Sequence, residues 1–388
     1  MIDARSSLPT DGTAGTLVGR VWRPDFGGPS VVAVRADGVY DISRSFPTMR
    51  DLCEAPDPAA GVAGAHADRF SDLAALLANT HEAGRDASKP WLLTPVDLQA
   101  VKAAGVTFAI SLLERVIEEQ ARGAPERAAQ ARADVEKALG GTVEKIKPGS
   151  PQAMELKKLL QEKGLWSQYL EVGIGPDAEI FTKAQVLSAV GTGMSIGVLK
   201  SSIWNNPEPE VVVVATSKGK IVGATLGNDV NLRDVEGRSA LLLSKAKDNN
   251  ASTAIGPFVR LFDKTFSLDD VRRTQVRLNV TGTDGFVLEG SSDVSKISRD
   301  PEDLVGQMIG RHHQYPDGAV LFLGTMFAPV KDRDAPGMGF THHAGDVVTI
   351  AADKLGTLTN VVTTSDQAPE WTFGVGDLMR NLAKRGLL

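Results

Sequence analysis

Residues 206–214 read Asn-Pro-Glu-Pro-Glu-Val-Val-Val-Val, and few structures are open to such a segment. Proline at 207 and 209 fixes φ and removes two backbone donors, so a helix is excluded and a strand follows over Glu210 to Thr216. Side chains alternate along an extended chain, so Glu208 and Glu210 share one face. Downstream, Lys218-Gly219 predicts a two-residue hairpin turn in which Ser217 faces Lys220, and that register sets Glu208 opposite Asp229. Three carboxylates then converge across one strand pair. Their repulsion is relieved most simply by a divalent cation, and an all-oxygen donor set without Cys or adjacent His suits Mg2+ or Mn2+ rather than Zn2+. The competing reading is a solvated acidic edge, with prolines that blunt strand-to-strand association.

Composition narrows the function classes. With 42 Lys+Arg against 48 Asp+Glu, the net charge of −6 speaks against a basic nucleic-acid face or a polybasic membrane surface. Hydrophobic residues at 42% and charged residues at 23% describe a globular chain with a sizeable core, and 388 residues suggest two domains. Cys53 is the one cysteine, which excludes an intrachain disulfide and any CxxC metal or redox site. No run of 18 apolar residues occurs, and the start MIDARSSLPTDGTAG lacks an apolar signal core. The expectation is a cytoplasmic protein with neither a nucleic-acid nor a membrane partner.

Along the chain, residues up to about Gly15 read as a loose tail. A small α+β unit follows over 1–98, and Lys89-Pro90 through Pro95 suits a linker near 98. Residues 111–164 form a helical insertion: one helix starts near Ser111, a second runs from Pro125 to Gly140-Gly141, and a third from Ser150-Pro151 to Gly164. After Leu165 the pattern turns β-rich, with strands expected over 221–226, 275–280, 285–288, 319–323, 347–351 and 357–363. Regular strand-helix alternation is missing, so the fold class is α+β with a mixed, largely antiparallel sheet, not a Rossmann fold or a TIM barrel.

The run PEPEVVVV, followed in order by GATLGNDVNLRD, SKAKDNNASTAIGP and LFLGTMFAP, resembles the fumarylacetoacetate hydrolase superfamily over about residues 99–388. That resemblance implies a mixed β-roll over 99–388, with Glu208, Glu210 and Asp229 as Mg2+ ligands. It further implies Lys247 as the active-site lysine, with Lys245 close by, and Thr325 as the threonine of a Gly-Thr element. One departure is informative. Where the family's hydrolases carry a His and a Glu that activate water, this chain has Ser111 and Glu114. Without that imidazole, hydrolysis loses its general base. The sugar-acid dehydratase branch is therefore the better likeness, and the match to it runs from LQAVKAAGVTFA to the C-terminal WTFGVGDLMRNLAKRGLL.

The branch implies an Mg2+-dependent dehydration of a 2-keto-3-deoxy-pentonate, derived from xylonate or arabinonate, to 2,5-dioxopentanoate. Lys247 is then the expected base or electrostatic support, with a pKa lowered toward neutrality by desolvation beside the metal, and Glu114 protonates the leaving hydroxyl. Ser111, Arg233 and Thr325 are expected to bind substrate. Ser111-x-x-Glu114 also reads as a helix capping box, and Arg233 as a salt bridge fixing the loop after Asp229. The family implies a homodimer or homotetramer. A metal-dependent C–C hydrolase or decarboxylase of diketo acids is the alternative activity.

Other motifs weigh less. Gly193-Met194-Ser195-Ile196-Gly197 matches the serine-hydrolase elbow, yet only nine residues separate Gly197 from Pro207, which leaves little room for the helix that elbow requires. In His312-His313 and His342-His343, neighbours on a strand face opposite ways, so each pair offers one ligand at most to a given site. Trp166, Trp204 and Trp371 read as packing residues.

Overall fold

The computed structural model describes residues 2–139, 146–162 and 166–388. Its main sheet has eleven strands. Their order runs from Asp68–Ser71 through Gly38–Asp41, Gly28–Arg35, Leu17–Arg23, Thr253–Leu261, Ile221–Asp229, Pro209–Ala215, Ala319–Phe322 and Ala100–Gly105 to Glu179–Ala184, with Trp91–Leu92 paired beside Leu17–Arg23. All neighbours are antiparallel except Ala319–Phe322 with Ala100–Gly105. A second sheet of five strands, Val287–Asp293, Gln275–Thr281, Val347–Ala352, Gly356–Thr364 and Ser195–Val198, packs beside it. The strands before residue 98 thus share one sheet with those after it.

The valine run shows why the sequence folds this way. Val211 and Val213 pack with Leu226, Leu278 and Ile350. Val212 and Val214, on the opposite face, pack with Val259, Val320 and Phe322. All four valines are buried, and burial of each stabilises the fold by roughly 1.5–3 kcal/mol. Glu208 and Glu210 continue the even-numbered face, so the core fixes which way they point.

Pro209 faces Asn228, Glu210 faces Gly227, and Asp229 N–H donates to the Glu208 carbonyl at 3.1 Å, which is the register expected. The turn that delivers it differs. Thr216 N–H donates to the Lys220 carbonyl at 2.9 Å, so the loop is Ser217-Lys218-Gly219, with Gly219 at φ 77°. This loop is one residue longer than expected, and a bulge between Val214 and Ala215 restores the register because Val214 pairs with Gly223 and Ala215 with Ile221.

The N-terminal stretch is not loose. Arg260 is buried to 1% exposure and needs a counter-charge, which Asp11 supplies through two bonds of 2.7 and 2.8 Å. The insertion contains helices Ala109–Ala121, Ala128–Leu139 and Pro151–Glu162, the second preceded by a 3-10 turn at Pro125–Arg127. A fourth helix, Gln168–Ile174, lies inside the stretch after Leu165 whose sequence pattern reads as β-rich. The expected helix ends at Gly140-Gly141 and Gly164, and the boundary at Leu165, lie outside the described residues. Further strands over Glu179–Ala184 and Thr253–Leu261 went unforeseen. In the latter, Gly256-Pro257 interrupts the strand signal although the segment pairs on both sides.

Candidate metal centre and its cleft

Glu208 directly precedes one central strand, Glu210 is its second residue, and Asp229 ends the neighbouring strand. One carboxylate oxygen from each lies within 4.8 Å of the others, and all three residues are buried. Sequence alternation and register therefore bring together the three expected ligands. Such a donor set, all carboxylate and desolvated, suits a hard divalent cation.

The uncompensated repulsion is visible in the proton affinities. Burial raises the Glu210 carboxyl well above its usual range, and the Asp229 and Glu208 charges add to it despite an N–H bond of 2.6 Å from Gly324. Burial also raises Glu208, although Lys247 and Arg115 oppose the shift. Asp229 goes the other way: burial is overcome by Lys183 and Lys247, which hold it below the usual carboxylate value. Gly324 has φ 89°, and a Cβ there would meet Thr107 Oγ1 at 2.0 Å, so a glycine is required for that N–H to reach Glu210.

Lys247 Nζ contacts Glu208 Oε2 at 2.9 Å, Asp229 Oδ1 at 3.1 Å and Glu236 Oε1 at 3.3 Å. Burial disfavours its charge, but Asp229, Glu208 and Glu236 together hold the ammonium protonated well above an ordinary lysine. This corrects the expectation of a lysine lowered toward neutrality: three surrounding acids outweigh desolvation. Lys247, not Lys245, is the lysine that meets the acids.

The cleft over the acids is lined by Ser111, Arg115, Tyr169, Glu179, Lys247 and Thr325, among others. Thr325 follows Gly324 directly, so the backbone that bonds Glu210 also places this hydroxyl on the wall. The Ser111 hydroxyl donates to the Phe108 carbonyl at 2.9 Å and accepts from Phe108 N–H at 3.3 Å. Because the helix starts at Ala109, Ser111 occupies its third position and Ser111-x-x-Glu114 is not the capping pair.

Glu114 and Arg233 are not on the cleft wall. The Glu114 carboxylate is held by Arg132 at 2.8 Å and Arg233 at 3.1 Å, while Arg233 also contacts Glu118 at 2.6 Å and the Pro329 carbonyl at 3.1 Å. The Arg233 guanidinium lies 4.5 Å from the Trp204 ring centre. The salt-bridge alternative for Arg233 is what the geometry supports, and Glu114 is committed to two arginines rather than to the acids. Ser195 sits in a strand, its N–H bonded to Glu82 at 2.7 Å, with no helix after it. His342 is buried against Asp346 at 3.2 Å, and His343 pairs with Asp334 at 2.9 Å. Neither belongs to the acidic group.

Several site residues escaped sequence reasoning. Arg115 and Glu118 are two of them, and their spacing from the expected Ser111 places all three on one helix face, a signal present in the sequence. Arg115 reaches Glu208 at 2.8 Å and Glu118 at 2.8 Å, and it also pairs with Glu236. Glu179 stands opposite Gly105, where a Cβ would meet its Oε2 at 2.0 Å, so this glycine clears the space the carboxylate occupies. Burial, then the Glu236 charge, pushes Glu179 up to about 7. Between its ordinary 4.5 and about 7 the folded protein therefore binds a proton that the unfolded chain releases, and stability falls as pH rises through that window. Metal-free Glu179→Gln is expected to lose less stability than wild type between about pH 5 and about pH 8 in urea unfolding. Parallel profiles would show that Glu179 is solvated.

Comparisons with known proteins agree with this architecture. The family model described as fumarylacetoacetate (FAA) hydrolase C-terminal matches residues 202–363. A probable 2-keto-3-deoxyxylonate dehydratase of Haloferax volcanii is 31% identical over 204 residues, 53% of this chain and 66% of that protein. A 2-dehydro-3-deoxy-D-arabinonate dehydratase of Saccharolobus solfataricus is 34% identical over 183 residues, 46% of this chain and 57% of that protein. The matches thus span under two thirds of each relative's length. Among solved structures, 2-keto-3-deoxy-D-arabinonate dehydratase complexed with magnesium and 2,5-dioxopentanoate aligns with a TM-score of 0.62 and 23% identity, covering 90% of this chain and 99% of that one, which speaks to the fold. The motifs, the sheet architecture and the match of residues 202–363 to that family model agree in making this part of the chain similar to the fumarylacetoacetate hydrolase C-terminal domain.

Proposed function

We propose that the chain is an Mg2+-dependent hydro-lyase that converts a 2-keto-3-deoxy-pentonate, from xylonate or arabinonate, to 2,5-dioxopentanoate and water. The observation that carries this reading is the buried trio Glu208, Glu210 and Asp229 under a cleft that contains titratable groups of both signs. Two relatives described as dehydratases of such acids, and a solved neighbour described with magnesium and 2,5-dioxopentanoate, support it. Mn2+ fits the same donors.

A bound divalent cation would withdraw electrons from a 2-keto oxygen and so acidify C3. Around that position the chain's own groups divide the proton work. Glu179, half-buried on the wall and pushed up to about 7, exists in both protonation states near neutrality and is suited to accept the C3 proton. Lys247, held as an ammonium by its acidic neighbours, is suited to protonate the departing C4 hydroxyl. Thr325, after strand Ala319–Phe322, and Ser111, on helix Ala109–Ala121, offer hydroxyls to the substrate's oxygens, and Arg115 holds Glu208 in place. Val106, Phe181 and Ala104 give the cleft apolar stretches that limit water. Glu114 and Arg233 act in this scheme only through the ion pairs that fasten helix Ala109–Ala121 to the loop after Asp229.

Product analysis with purified protein, Mg2+ and each C4 epimer tests the reading. One product lighter than the substrate by a water is expected. Two acids would indicate a C–C hydrolase, released CO2 a decarboxylase, and no turnover of either epimer would overturn the assignment. We extend the reading to a cytoplasmic homodimer or homotetramer, for which the exposed Ile203, Leu241 and Val330 side chains are apolar contact material.

A further inference from the structure

The two oxygens of Asp229 are not equivalent. Oδ1 lies 3.0 Å from Lys183 Nζ and 3.1 Å from Lys247 Nζ, whereas no side chain among the described residues donates to Oδ2. The two lysines differ as well. Lys247 lines the cleft and shares its charge among three carboxylates. Lys183 is fully buried, and its other partners are two backbone carbonyls, Lys247 O at 2.8 Å and Val230 O at 3.4 Å. An ammonium has three donors, so each has an acceptor here, and leaving Oδ1 would strand a buried charge.

The other two acids are restricted in a similar way. Glu208 gives Oε1 to Arg115 and Oε2 to Lys247, and Glu210 gives Oε2 to the Gly324 N–H. Ca2+ favours six to eight oxygens and takes carboxylates in two-oxygen mode, while Mg2+ is content with single oxygens and retained waters.

We propose that Lys183 is a specificity-determining residue of the metal centre: by holding Oδ1, it limits Asp229 to one oxygen for a cation and so selects Mg2+ or Mn2+ over Ca2+. The inference rests on the reading that the acidic trio holds a divalent cation. It assigns Lys183 no contact with substrate. Its charge is needed only as a fixed block on one lone-pair set, held by the backbone of Lys247 and Val230.

The test is titration calorimetry of the metal-free full chain with MgCl2 and, separately, CaCl2, for wild type and Lys183→Met. Removing the ammonium makes the site more negative and tightens both cations, so the readout is the ratio of the two dissociation constants. The preference for Mg2+ is expected to fall by about tenfold in Lys183→Met as Asp229 gains its second oxygen. A ratio within about twofold of wild type in a folded variant overturns the proposal. Should the variant fail to fold, a crystal structure of wild type with Mn2+ decides: Asp229 ligating through Oδ2 with Lys183 kept on Oδ1 supports it, and Asp229 ligating through both oxygens overturns it. Wild type that binds neither cation fails at the metal reading itself, a result distinct from an unchanged ratio.

Discussion

Glu208→Gln is expected to lower turnover by roughly 10^3-fold and to weaken divalent-cation binding while the fold survives. Glutamine keeps the shape of the side chain and removes its charge. Of the three acids, Glu208 is the one whose two oxygens touch separate cations, Arg115 at 2.8 Å and Lys247 at 2.9 Å. Neither is stranded by the change, because Arg115 keeps Glu118 and Glu236, and Lys247 keeps Asp229 and Glu236. Relief of repulsion with Glu210 and Asp229 works in the same direction, so the metal-free variant should unfold cooperatively in urea near the wild-type midpoint. Full turnover with an unchanged Mg2+ dependence would sink the metal assignment.

Lys247→Met is expected to separate the chemical role of the ammonium from its electrostatic one. The thioether side chain fills a similar volume, but Glu208, Asp229 and Glu236 lose the cation they share. Removing one partner of a buried ion pair costs about 3–5 kcal/mol, so metal-free stability should fall by about that amount, with Lys183 and Arg115 partly compensating. Mg2+ should restore much of the stability, since it supplies positive charge to the same oxygens. Turnover should stay about 10^3-fold low even when Mg2+ saturates, because the cation replaces the charge of the ammonium and not its proton. Urea unfolding with and without Mg2+, together with kcat, reads both effects. Recovery of kcat in parallel with stability would leave Lys247 a counter-ion only.

Sequence reasoning reached parts of the site for unequal reasons. The acid trio followed from proline, alternation and a hairpin register. That register held because two deviations cancel: the loop has three residues instead of two, and Val222 is bulged out on the returning strand. Turn composition does not reveal the bulge, which the ladder absorbs between Val214 and Ala215. Glu114 illustrates the opposite outcome. Its place in the motif suggested chemistry, but Arg132 and Arg233, from 18 and 119 residues away, claim its carboxylate. A local pattern carries no information about such distant partners.

What the sequence by itself determined is local and periodic: a strand where proline bars a helix, two carboxylates on one face, a hairpin that brings a third, and a donor set of oxygens. Tertiary structure decided what those groups do to one another. Glu179 and Lys183 share the strand Glu179–Ala184 and Glu236 ends the Arg233–Glu236 helix, and they gain their roles only when the fold brings both segments beside the acids. Lys247 is held protonated rather than lowered for the same reason, since Coulomb energy depends on distance and burial and not on separation along the chain.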